Sequence, residues 1–96
     1  MAYGVVHRFP GGTSEQYEAS LAKVHPNGGA DLPEGQTLHI GGRTEDGWIV
    51  VALHDSRESW ERFRDETLTP GLQEVEGGFA GPPEETTFEV YKLQQA

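Results

Sequence analysis

The amino-acid sequence predicts an α+β fold built on one antiparallel sheet, and three observations carry the prediction. Short β-branched and aromatic runs open and close the chain, at residues 3–9 and 86–93. Two segments with helix-start signals and helical apolar spacing lie between them. A central stretch, Thr37 to Asp55, reads as two strands joined by a tight Glu45-Asp46-Gly47 turn. The 96 residues suit a single domain spanning the whole chain, 1–96.

The elements justify themselves in order. Tyr3 to Phe9 is a strand stopped by Pro10-Gly11-Gly12. Thr13 is then an N-cap, and Gln16 completes a Thr-x-x-Gln capping box. Tyr17, Leu21 and Val24 follow at i, i+4 and i+7 on one helical face, and Pro26 ends the helix. Histidine suits a helical C-terminal turn, so His25 reads as a helix-end residue. Residues 26–36 form a Gly/Pro-rich loop. The hairpin comes next. A second helix starts near Ser56 and carries Trp60, Phe63 and Leu68; Trp60 reads chiefly as core. Thr69-Pro70 predicts a fresh N-cap and a short third helix over about 71–75. Gly77 to Pro83 is a loop, and Thr86 to Leu93 is the last strand.

The order β-α-β-β-α-β is the ferredoxin-like split βαβ arrangement. Right-handed crossovers then give sheet order 4-1-3-2, with both helices on one face. With the turn centred on Glu45-Asp46, Leu38 pairs with Leu53, Ile40 with Val51 and His39 with Ala52. One hairpin face carries Leu38, Ile40, Ile49, Val51 and Leu53 and is expected under the helices. The other carries Thr37, His39, Gly41, Arg43, Trp48, Val50, Ala52 and His54. A solvated sheet face is normally polar along its length. Trp48, Val50 and Ala52 break that rule, and a second copy of the chain is the simplest cover. A homodimer with pockets between the sheets follows as an expectation.

Charge and composition exclude several functions. Sixteen acidic against seven basic residues leave a net charge of −9, which disfavours nucleic acid and anionic membrane surfaces alike. There is no cysteine, hence no disulfide, thiolate metal site or cysteine nucleophile. No apolar run approaches the ~20 residues of a membrane span, and the first residues lack a signal peptide's apolar core. A cytoplasmic protein is expected.

The string His39 to Phe63, with its Asp-Gly turn, Val-Val strand and Asp-Ser-Arg-Glu helix start, resembles the small dimeric α+β barrel proteins abundant in actinobacteria. The segments Phe9 to Tyr17 and Gly81-Pro-Pro-Glu84 are similar too. The resemblance implies a dimeric α+β barrel. It also implies kinship with cofactor-independent antibiotic-biosynthesis monooxygenases, polyketide cyclases, haem-degrading enzymes and stress-responsive proteins. Where such relatives often carry Asp and Trp on the third strand, this chain has Ala52 and His54. Haem-degrading relatives usually ligate iron with a histidine on the second helix, and residues 57–68 contain none.

Site candidates follow. His39 and His54 lie diagonally across the hairpin, about 7–8 Å apart at Cα. They are the expected catalytic pair, one taking a proton from an acidic phenol or enol while the other supports the oxyanion. Trp48 is an expected aromatic wall, Arg43 an anion anchor, and Val50, Ala52, His7 and Tyr91 further substrate contacts. No cofactor is expected, and the ligand implied by the resemblance is a small aromatic or polyketide-like molecule. Two alternatives stand beside this reading. One is a non-catalytic ligand-binding or stress-associated dimer. The other is a metal enzyme using His7, His39 and His54, which requires the odd-numbered face of the first strand to point inward. Gly11-Gly12 lacks the spacing of a phosphate-binding loop.

Overall fold

The computed structural model describes residues 1–96. Four strands, β1 (Tyr3–Pro10), β2 (Gln36–Thr44), β3 (Gly47–His54) and β4 (Glu84–Glu89), form one antiparallel sheet in the order β2-β3-β1-β4. This is the expected 4-1-3-2 order. Helix α1 (Ser14–Val24) crosses from β1 to β2, and α2 (Arg57–Phe63) with α3 (Thr69–Glu74) crosses from β3 to β4. No helix is long and apolar enough to cross a membrane.

The predicted register is present: Leu38 pairs with Leu53, His39 with Ala52 and Ile40 with Val51. One irregularity was not expected. A bulge between Gln36 and Leu38 leaves Thr37 unpaired, so Gln36 pairs with His54 while Leu38 pairs with Leu53. The extra residue lets Gln36 and His39 share a face although three positions apart.

The expected face assignment is inverted. The helices cover Tyr3, Val5, His7 and Phe9 of β1 and the His54 face of β3. Tyr3 and Val5 pack with Val24, Trp60 and Phe63 in the core, and the His54 ring lies 5.3 Å from Trp60. The face with Leu38, Ile40, Ile49 and Val51, expected beneath the helices, is the open one. Val6 and Phe88 extend it across β1 and β4. Ile40 is 55% and Phe88 43% exposed. The inversion has a physical reason. Aliphatic content marks the open face as core, whereas the covered face buries its area through aromatic and imidazole rings.

Two other boundaries differ. The last strand ends at Glu89 rather than Leu93, because its partner β1 begins at Tyr3, opposite Glu89. One more bond, Val90 N–H to the Ala2 carbonyl, closes the pairing. The second and third helices do not start separately. A π-helical stretch, Arg64–Leu68, joins them, and the Thr69 N–H bonds the Arg64 carbonyl, five residues back. In an unbroken α-helix the Pro70 ring would collide with the carbonyl four residues earlier. The wider turn just before it relieves that clash. Pi-turns of this kind are frequent beside functional sites, and Leu68 lines the cavity described next.

Candidate functional site

A cavity of about 60 Å³ lies between the sheet and the helices of one chain. That volume holds a few waters and is well below the several hundred Å³ of a drug-sized pocket. Most of its wall is apolar, from Val5, Phe9, Val24, Val50, Trp60 and Leu72 among others. The polar groups are concentrated in a hydrogen-bonded row that the sequence places by three local devices.

The first device is the capping box. Thr13 Oγ1 accepts from the Gln16 N–H (3.2 Å), and Gln16 Oε1 accepts from the Thr13 N–H (3.0 Å). This sets the phase of α1 so that Tyr17, Leu21 and Val24 face the sheet. The second is Gly41. A Cβ there would sit 2.6 Å from the Tyr17 ring, so glycine makes room for Tyr17 over β2. The third is the bulge at Thr37, which aims Gln36 inward. The outcome is a continuous row. The Tyr17 hydroxyl and His39 Nε2 are 2.6 Å apart. His39 Nδ1 and Gln36 Oε1 are 3.1 Å apart, and Gln36 Nε2 and His54 Nε2 are 3.3 Å apart.

Donor and acceptor chemistry fixes the protons along this row. An amide oxygen only accepts, so Gln36 Oε1 takes its hydrogen from His39 Nδ1–H. His39 Nε2 is then a lone pair, and the Tyr17 hydroxyl donates to it. An amide nitrogen only donates, so His54 Nε2 accepts, and His54 carries its proton on Nδ1. That Nδ1–H is buried with no partner, and the His54 side chain is 0% exposed. An unmade hydrogen bond in such a place costs of order 1–3 kcal/mol.

The row is neutral near pH 7. Burial pulls His39 down to about 4, with the neighbouring His25 and His54 rings adding to the effect. Burial also lowers His54, against an opposing pull from Asp55. His25 is lowered by burial, partly offset by a hydrogen bond to the Asp31 backbone. Burial and the charge on Glu18 raise Tyr17, so its phenol keeps its proton. His25, expected as a plain helix-end residue, is in fact buried. It caps α1 through its N–H to the Leu21 carbonyl, and its ring meets His39 edge-on at 4.6 Å.

His7, His39, His54, Val50 and Ala52 all line this cavity. It lies inside one chain, not between two sheets as expected. Trp48 packs against Tyr17, ring centres 5.1 Å apart, behind the cavity wall rather than in it, and its Nε1–H has no partner. Arg43 is exposed at the end of β2 and does not reach the cavity. Neither does Tyr91, which is 99% exposed beyond β4, where no strand is left to pair with. The inward parity required of β1 is present, yet His7, His39 and His54 do not form a metal-sized cluster; no group of three or more His, Asp or Glu side chains does.

The sequence reading missed four contributors. Tyr17 was placed on the correct helical face without its partner. Gln36 closes the Gly/Pro-rich stretch that the sequence marks as a loop. Phe79, from the loop before β4, stacks on Phe9 at 3.7 Å between ring centres and closes one end of the cavity. Glu85 accepts from His7 Nε2–H at 2.8 Å. Register is the signal that finds the last pair, since His7 and Glu85 are direct cross-strand partners.

No protein-family model matches this sequence, and no curated protein matches it. Among solved structures, a protein from Chloroflexus aurantiacus J-10-fl, described as a candidate antibiotic biosynthesis monooxygenase, is similar over 99% of this chain and 98% of its own. The TM-score is 0.68 at 13% sequence identity. The chain therefore shares the ferredoxin-like α+β fold of that structure, and function must be argued from the site.

Proposed function

We propose that this protein binds a small aromatic or polyketide-like molecule between its sheet and helices and acts on it as a cofactor-independent monooxygenase or cyclase. The observation that carries the reading is the neutral Tyr17–His39–Gln36–His54 row beside an apolar cavity, which ends in a buried, unpartnered His54 Nδ1–H. A phenol or enol that loses its proton becomes an electron-rich anion, the species that reacts with oxygen or closes a ring. His54 Nδ1–H is a donor for that oxyanion, worth most in a dry site. Through Gln36, His39 fixes the tautomer that makes it a donor. The Tyr17 oxygen keeps a lone pair for a substrate hydroxyl. The neighbour's described activity supports the same class of chemistry.

A ring-sized guest needs more room than the cavity has. The π-helical turn beside Phe63 and Leu68 is the part of the wall best suited to give. The chain works as a homodimer in this proposal, with the open apolar sheet face as the contact. A panel of polyphenols and anthrones, followed by oxygen uptake and product mass, tests the reaction. Turnover is expected in the wild type, and its loss at retained affinity in His39→Ala and His54→Ala. Turnover equal to the wild type in both variants removes the row from the reaction. Binding with no turnover in any protein leaves the alternative, a non-catalytic binder.

A further inference from the structure

We infer that His7, oriented by Glu85, is the group that takes the proton from a phenolic or enolic guest in the cavity. The inference rests on the reading above and assigns a role that the row of four leaves unfilled. In that row no imidazole has a free lone pair. His39 Nε2 receives the Tyr17 hydroxyl, His54 Nε2 receives the Gln36 amide, and both Nδ1 atoms carry hydrogens. The row can therefore stabilise an oxyanion but cannot readily accept the proton that creates one.

His7 is built the opposite way. Its Nε2 lies 2.8 Å from Glu85 Oε2. A carboxylate only accepts, so Nε2 carries a hydrogen, and in the neutral ring Nδ1 is then a bare lone pair. Nδ1 makes no hydrogen bond, and unlike His54 Nδ1 it is not among the sealed atoms. The ring is otherwise held between Phe9 and Trp60, at 6.2 and 5.7 Å between centres, and it lines the same cavity as His54. Base and oxyanion donor thus stand on adjacent strands, β1 and β3, around one apolar space. In the step, the guest's O–H bond breaks and an Nδ1–H bond forms on His7. The guest's oxygen keeps the electron pair, and the new imidazolium keeps its hydrogen bond to the Glu85 carboxylate. Glu85 touches no guest and is a positioning residue.

The probe is 4-nitrophenol, colourless as the phenol and yellow as the phenolate, in a buffer where the free probe is chiefly phenol. Nitrogen-15 NMR of the imidazoles is recorded beside the absorbance. The free wild type is expected to show His7 protonated on Nε2 alone. On binding, the yellow band is expected together with a doubly protonated His7. His7→Gln keeps a buried polar side chain and is expected to bind the probe without the yellow band. Glu85→Ala leaves His7 in place and is expected to give a mixture of His7 tautomers and a weakened band. A wild type that binds the probe colourless, or a His7→Gln variant that still turns it yellow, overturns this assignment alone. A wild type that does not bind the probe at all overturns it together with the proposed function.

Discussion

The buried imidazoles make acid stability a residue-scale property. His39 is held neutral in the fold down to about pH 4, mainly by burial, whereas in the unfolded chain it protonates around 6.5. The folded value is the lower one, so the unfolded state binds more protons between the two. Stability is full above pH 6.5, falls as pH drops toward 4, and loses nothing further from this group below that. His54 and His25 are shifted the same way and add to the slope. Allowing for solvent at its edge, His39 alone accounts for roughly 1–2 kcal/mol across the window. Urea unfolding at pH 7, 5.5 and 4.5 should show the midpoint falling at each step in the wild type. In His39→Phe the fall should be shallower. An equal slope in the two proteins would mean that His39 is not the group responsible.

At the scale of elements, the β2 bulge decides which residues can speak to one another. It brings Gln36 beside His54, where an even pairing would turn Gln36 to the open face. Gln36→Leu keeps the bulk but removes both bonds, leaving His39 Nδ1–H and His54 Nε2 unpaired. A loss of roughly 1–3 kcal/mol per orphaned group is expected in chemical denaturation, with His54 free to exchange tautomers by NMR. A cost within error would show that the row is not coupled through Gln36. The same elements show where sequence reading reached and where it stopped. Strand pairing was legible because the Glu45-Asp46-Gly47 turn pins the register from one end. The capped helix phase was legible too, and so was the presence of His39 and His54 on one face. Which face the helices cover was not, because both hairpin faces are apolar and neither reads as solvated. Gln36 was hidden because a bulge leaves no mark in a run such as Gln36-Thr37-Leu38. The join at Arg64–Leu68 was hidden because Thr69-Pro70 is also a good helix start.

For the whole molecule the unresolved surface is the open sheet face. Val6, Leu38, Ile40, Ile49, Val51 and Phe88 form an apolar layer on it, with Phe88 lying over Gly4, where any Cβ would meet its ring. A sheet with two apolar faces is a middle layer, and this chain has helices for only one of them. In the proposed homodimer a second copy related by a two-fold axis would supply the same face in return. Charge opposes this pairing. Two copies at −9 repel at long range, so the contact must be apolar, and added salt should favour it by screening the repulsion. Ile40 is exposed in the single chain, so Ile40→Asp should leave folding stability within about 0.5 kcal/mol. In the dimer the same change would bury an unpaired carboxylate from each copy, at a cost of several kcal/mol. Sedimentation velocity is expected to give a dimer for the wild type, strengthened by salt, and a folded monomer for Ile40→Asp. A wild type that sediments as a monomer at all salt concentrations would refute the dimer, and the open face would then need a different cover. The cavity lies wholly within one chain, so its chemistry would survive that result. Ile40→Asp should accordingly keep the colour change with 4-nitrophenol even as it separates the copies.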